Sequence, residues 1–353
     1  MLISRYALIV LLSIAIMDAQ AQTAAPAWQR IELAGAGSKY PFVIYSNKLW
    51  SGDMSRMKSA VLVFHGLGRN GGGYYAAAEK LLTAAGASAG ETLLIAPNFF
   101  AAIDGRKHPI EGLPLWEGVK GWNSGWDSAN WPQPLSSFQP IDDLLHSFMD
   151  RMRFPALERV AIAGHSGGGQ IVHRYAVLNN IDEKMHAAGI SLRYIVANPS
   201  SYLYFTNERP QGKAFAPYDA AGCPDFNEYR YGMEKMVRYA GSVNGADLFR
   251  RYAARDVTYL IGTADNDPAH RDLDRSCGAK AGGAHRLERG RNYARYERHL
   301  AGSTVKLNRR VYEVVGVGHQ QARMLGSKCA GYLLFGLPDG ENPSGAACRE
   351  AEL

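Results

Sequence analysis

Gly164-His165-Ser166-Gly167-Gly168 sets one serine among glycines, directly after the apolar run 160–163 and directly before a helical pattern. A serine on a sharp strand-to-helix turn is held in a strained backbone conformation, with its hydroxyl projecting from the end of a sheet. Bulky neighbours would clash there, so Gly164 and Gly168 are the residues the turn needs. Such a hydroxyl is a nucleophile once a base takes its proton and an acid orients the base.

Among ten histidines, His319 closes the sequence Val314-Val315-Gly316-Val317-Gly318-His319 after the last apolar run. A glycine-bracketed loop can carry an imidazole over the sheet edge, so His319 is the expected base. His285 and His299 lie in a polar, Arg-rich segment and read as helix-surface residues. His165 is aimed away by the turn, and His173 lies about two helical turns beyond Ser166. The expected acid is Asp265, three residues past a strand ending at Gly262 in the stretch 258–267 (TYLIGTADND), with Asp267 as its close rival.

The developing oxyanion of acyl transfer needs two converging backbone N–H donors. Gly167, at a helix N-terminus, is one expected donor. Leu67, in His65-Gly66-Leu67-Gly68 after the run 60–64, is the other. His65 reads as a structural anchor of that turn.

Metal and phosphate chemistry find no matching pattern. Asp265-Asn266-Asp267 suggests calcium, but residue 270 is His where an EF-hand loop requires Gly. No HExxH and no GxxxxGK[ST] after a strand occur. No metal and no cofactor is expected.

The elements that must carry these residues follow from hydrophobic pattern. Continuous apolar runs at 60–64, 92–96, 160–163, 192–197, 257–261 and 310–315 alternate with helical stretches at 74–85, 141–152 and 170–180. Strands without polar alternation are buried on both faces, as in a parallel sheet wrapped by helices. An antiparallel hairpin at 29–33 and 41–46 precedes them. The fold class is therefore α/β: a doubly wound, mostly parallel sheet of about eight strands, with a small inserted cap. Segments 97–140 and 199–255 break the alternation. They are expected to wall the site, the second containing a helical piece at 228–239. Trp122 and Trp126, in the Trp-rich first segment, are expected to line the substrate pocket.

The chain has 353 residues, with 46% hydrophobic and 20% charged residues. This composition excludes collagen-like, disordered and coiled-coil classes. The net charge of +6 is scattered, so no nucleic-acid arm is expected. Residues 1–21 read as a signal peptide: Arg5, an apolar stretch at 7–17, then Ala19-Gln20-Ala21 as a cleavage site after Ala21. That stretch is too short to cross about 30 Å of hydrocarbon. No stable membrane insertion is expected after cleavage, and the mature chain of 22–353 would be periplasmic or secreted. Cys223, Cys277, Cys329 and Cys348 suit an oxidising compartment. Of three possible connectivities, Cys223–Cys277 with Cys329–Cys348 is favoured, the second pair closing a short loop.

On the motifs HGLG (65–68), GHSGG (164–168), GTADND (262–267) and GVGH (316–319), the chain resembles the α/β-hydrolase superfamily, and within it the secreted bacterial serine esterases. The matches span 61–319, in the superfamily order Ser, Asp, His. The resemblance implies the fold and a Ser166-His319-Asp265 triad. It leaves the substrate open, because the fold hosts many chemistries. The reading is a serine hydrolase acting on a small-molecule or polymeric carboxylic ester, with activity rising through roughly pH 6 to 7.5 as the histidine becomes neutral. A peptidase or amidase of the same fold is one alternative, and a catalytically silent binding protein is another.

Overall fold

The structure, a computed structural model, describes residues 28–353 apart from 36, 119–120 and 338–344. The expected signal peptide at 1–21 lies outside the described residues.

In chain order the elements are β1 (Gln29–Gly35), β2 (Ser38–Ser46), β3 (Ser59–Phe64), α1 (Gly71–Ala84), β4 (Thr92–Asn98), α2 (Gln139–Phe148), β5 (Arg159–His165), α3 (Gly167–Leu178), α4 (Asp182–Ala187) and β6 (Ser191–Ala197). There follow β7 (Glu208–Gln211), β8 (Ala214–Pro217), α5 (Gly245–Ala254), β9 (Asp256–Gly262), α6 (Cys277–Lys280), α7 (Arg286–Ala301), β10 (Arg309–Val314), α8 (Gln321–Leu325), α9 (Lys328–Phe335) and β11 (Cys348–Glu350).

Nine strands form one sheet in the order β1-β2-β4-β3-β5-β6-β9-β10-β11. From β4 to β10 the pairings are parallel. The β1–β2, β2–β4 and β10–β11 pairings are antiparallel. The strand alternation of period two explains the burial on both faces. Ala60, Leu62 and Phe64 of β3 join one apolar cluster with residues of α2, α3, α5 and α7. Val61 and Val63 join the opposite cluster with residues of α1, α8 and α9. The same split separates Val160 and Ile162 from Ala161 and Ala163 on β5. This is the expected α/β architecture, with β7–β8 as a separate small antiparallel sheet.

Among the described residues the sheet has nine strands against the about eight expected, the last being β11, which pairs Cys348–Glu350 with Tyr312–Val314. Its three residues, Cys-Arg-Glu, carry no apolar pattern. One local expectation is corrected: the stretch 228–239 is not helical until a single 3-10 turn at Arg238–Ala240. Instead Glu228 bridges Glu234, and Asn227 accepts from the Glu234 N–H at 2.9 Å while its side-chain amide donates to Glu234 Oε1 at 2.8 Å. These local bonds satisfy the backbone in a turn instead of a helix.

The cysteines pair as favoured, Cys223–Cys277 and Cys329–Cys348. The first ties the loop after β8 to the segment between β9 and α7. The second ties α9 to β11. Among the described residues, no helix is long and apolar enough to cross a membrane.

Candidate active site

The site sits at the C-terminal ends of the parallel strands, where loops from β3, β5, β9 and β10 meet. Ser166 follows β5 with φ 60° and ψ −118°. That conformation is costly for a residue with a side chain, and the surroundings must hold it. They do so on both sides: the Ser166 N–H donates to Ala197 O at 2.9 Å, and Ser166 O accepts from the Gln170 N–H at 3.0 Å. The close passage of strand and helix also explains the glycines. A Cβ on Gly164 would lie 2.1 Å from Gly168 O, and one on Gly168 would lie 2.2 Å from Phe64 O.

His319 reaches Ser166 from the loop after β10. Gly316 turns the chain there with φ 67°. Its N–H donates to Thr263 Oγ1 at 2.8 Å, and Val317 O accepts from the Ala264 N–H at 3.0 Å. The β10 loop is thereby bound to the β9 loop, which carries Asp265. His319 Nε2 lies 2.8 Å from Ser166 Oγ, and His319 Nδ1 lies 2.7 Å from Asp265 Oδ2. The Asp265 contact sets the tautomer: Nδ1–H donates to the carboxylate, leaving Nε2 free to accept from the hydroxyl. Asp267 does not join this line. It is exposed, and its carboxylate accepts from the Ala269 N–H at 2.8 Å in a local turn.

Burial and charge act together on these groups. Burial alone would raise the Asp265 carboxyl. The His319 hydrogen bond and the positive charges of His319 and Arg286 outweigh it and hold Asp265 below the ordinary carboxylate value. His319 is pushed below the usual histidine value, chiefly by burial. The Asp265 hydrogen bond opposes that shift, while Arg286 and His270 add to it.

The two expected oxyanion donors come together. A Cβ on Gly167 would lie 3.1 Å from the Leu67 nitrogen, so the Leu67 and Gly167 backbones meet beside Ser166. Gly167 opens α3, so its N–H belongs to the group that has no partner within the helix. Arg69 holds the Leu67 loop: its Nη1 donates to Leu67 O at 3.1 Å, and its Nε and Nη2 bond the Asp104 carboxylate at 2.6 and 3.1 Å. His65 anchors the turn from inside, with Nδ1 2.9 Å from Gly66 O and Nε2 accepting from the Phe99 N–H at 3.0 Å.

Trp122 and Trp126, expected to line the substrate pocket, pack toward the apolar interior to different degrees. Trp122 is buried in the main apolar cluster, 4.3 Å from the His65 ring and 5.4 Å from Phe99, ring centre to ring centre. Trp126 is half-buried with its ring 6.2 Å from that of Tyr229. A large aromatic side chain gains most by full burial, and the loop delivers both rings to the core side.

The other histidines have structural partners. His285 caps α7, its Nδ1 accepting from the Glu288 N–H. His299 faces Glu208 at 3.3 Å. His173 Nε2 accepts from the Leu203 N–H at 3.0 Å and so pins the loop after β6. His165 is buried, with its ring 4.6 Å from that of His319. Pattern reasoning passed over two neighbours of the triad, Arg286 and His270, and the Arg69 that holds the Leu67 loop. Each is a common surface residue type, and only the fold brings it inward.

No protein-family model matches the chain, and no curated protein matches it in sequence. Solved structures do match in fold. Poly(aspartic acid) hydrolase-1 from Sphingomonas sp. KT-1 is similar with a TM-score of 0.60 and 23% identity, over 88% of this chain and 99% of that one. LpqC, a poly(3-hydroxybutyrate) depolymerase from Bordetella parapertussis, is similar with a TM-score of 0.59 and 24% identity, over 86% of this chain and 88% of that one. The chain has the α/β-hydrolase fold.

Proposed function

We propose that this protein is a serine hydrolase that cleaves carboxylic esters through an acyl-enzyme. The hydrogen-bonded line from Ser166 through His319 to Asp265, on a serine held at positive φ, carries this reading.

Ser166 Oγ attacks the ester carbonyl carbon while His319 Nε2 takes its proton. Asp265 orients the imidazole and stabilises the imidazolium. The oxyanion forms against the Leu67 and Gly167 N–H groups, a contribution of about 3 kcal/mol per donor. His319 returns the proton to the leaving alcohol, and the Ser166 acyl ester remains. Water then attacks that ester, with His319 again acting as base, and releases the acid and the free hydroxyl.

Two of the proteins similar in fold are named for polymers, poly(aspartic acid) and poly(3-hydroxybutyrate). A polymeric ester is therefore kept in the substrate range beside small esters. Export to the periplasm or beyond suits the signal-like segment 1–21 and the two disulfides.

The test is labelling by a fluorophosphonate together with turnover of p-nitrophenyl esters of increasing acyl length. Wild type should label and turn over, and Ser166→Ala should do neither. An unlabelled wild type would indicate a binding protein on this fold. Faster turnover of p-nitroanilides than of the matched esters would indicate an amidase.

A further inference from the structure

Behind the candidate acid lies an arginine with no exposed surface on its side chain. Arg286 Nη1 lies 3.3 Å from Asp265 Oδ1, the carboxylate oxygen that His319 does not use. Its Nε donates to Ser200 Oγ at 3.0 Å and its Nη2 to Asp272 O at 2.6 Å. The guanidinium fork is thus fixed by three bonds, one to the loop after β6 and two to the loop after β9. Arg286 is the first residue of α7, and the next residue, Leu287, donates its N–H to Asp265 O at 3.0 Å. One helical turn holds both the backbone and the carboxylate of Asp265.

We propose that Arg286 is a positioning residue for the hydrolytic reaction, aiming the Asp265 carboxylate at His319 and setting the acid side of the activity profile. This rests on the reading of Ser166, His319 and Asp265 as the catalytic line. A buried cation here is a choice with consequences. A neutral donor on Oδ1 would also orient the carboxylate. A full positive charge additionally opposes protonation of His319, because the two cations share one anion. The base then stays neutral at lower pH.

The charges facing these groups are few. His319 is faced by Asp265 and Arg286, by the ring of His165 at 4.6 Å from the end of β5, and by the ring of His270 at 5.1 Å from the β9 loop. His165 is itself held well below the usual histidine value, first by burial, and so contributes no charge. Arg286 further senses Asp267 and Asp272, and Arg289 senses Arg286 from the next turn of α7. Of the cations around His319, Arg286 alone is both buried and bonded to its carboxylate.

The experiment is the pH profile of kcat/KM for wild type, Arg286→Met and Arg286→Lys on one p-nitrophenyl ester, with folding followed by circular dichroism. Met fills much of the space without charge. Its kcat should fall about tenfold or more, and its acid limb should move upward by on the order of half a pH unit. Lys restores the charge without the fork, so its limb should return toward wild type while kcat stays reduced. A merely structural role lowers the amplitude and leaves the limb in place, and that result overturns the inference. Failure of both folded states assigns Arg286 to the scaffold alone and overturns it too. A wild type that neither labels nor turns over esters instead sinks the hydrolase reading itself, a result read before any variant is compared.

Discussion

Ser166 Oγ and His319 Nε2 lie 2.8 Å apart although 153 positions separate them in the chain. The contact exists because β5 and β10 end on the same edge of one parallel sheet, with β6 and β9 between them. Asp265, leaving β9, fills that gap and reaches His319 from behind. Three loops on nearby strands therefore need no long excursion to meet. Their mutual hydrogen bonds, Gly316 N–H to Thr263 and Ala264 N–H to Val317, make the meeting rigid.

The acid limb of kcat/KM is expected on the acid side of where an ordinary histidine would place it, shifted toward lower pH within or beyond the roughly 6 to 7.5 window. Burial is the main cause of the lowered His319 value, and Arg286 and His270 add to it against the Asp265 hydrogen bond. Only the neutral imidazole can accept the Ser166 proton. A lowered value keeps His319 neutral further into acid, so activity is lost only as pH falls through that lowered value. Rates measured from pH 4 to 9 check this. A limb centred above 7, or a flat profile, removes His319 from the role of base.

Gly168→Ala should damage stability and turnover together. The new Cβ would sit 2.2 Å from Phe64 O and 2.8 Å from His65 O, both backbone atoms. Neither can swing aside as a side chain end would. Overpacking of this kind costs about 1–3 kcal/mol. The strain falls on the strand that leads to Leu67, so kcat should drop as well. Denaturant midpoints and kcat on one ester measure both effects, and an alanine variant with wild-type values for each would mean that α3 and β3 are not this close.

Trp122→Ala should act as a core mutation. The ring is buried against His65 and Phe99, so its loss should cost about 3–5 kcal/mol. The His65 turn would loosen with it, lowering kcat while leaving the preference among acyl lengths unaltered. Thermal melts and the ester series separate the cases. Unchanged stability with a shifted acyl preference would return Trp122 to the pocket wall.

Much of this architecture is written locally. The unbroken apolar runs dictate doubly buried strands, because such residues cannot face water on either side of a sheet. Gly164 and Gly168 around Ser166 dictate a tight turn, because only glycine permits the backbone approach of strand and helix found there. Elements whose stability comes from elsewhere are not legible in this way. Strand β11 is polar and three residues long. It is held by pairing with β10 and by the bond between Cys329 and Cys348.

The candidate nucleophile, base and acid could be named in the sequence because each sits at a punctuated position after an apolar strand. Local pattern leaves their partners unmarked. Arg286 belongs to an Arg-rich helix in which most neighbours look alike, and Trp122 to a loop whose rings could equally face solvent or core. Which arginine is buried against Asp265, and which tryptophan goes beneath His65, follows from how α7 and the 99–138 loop pack on the sheet. Periodicity and turn chemistry are properties of neighbours in the chain, whereas burial and charge pairing are properties of neighbours in space.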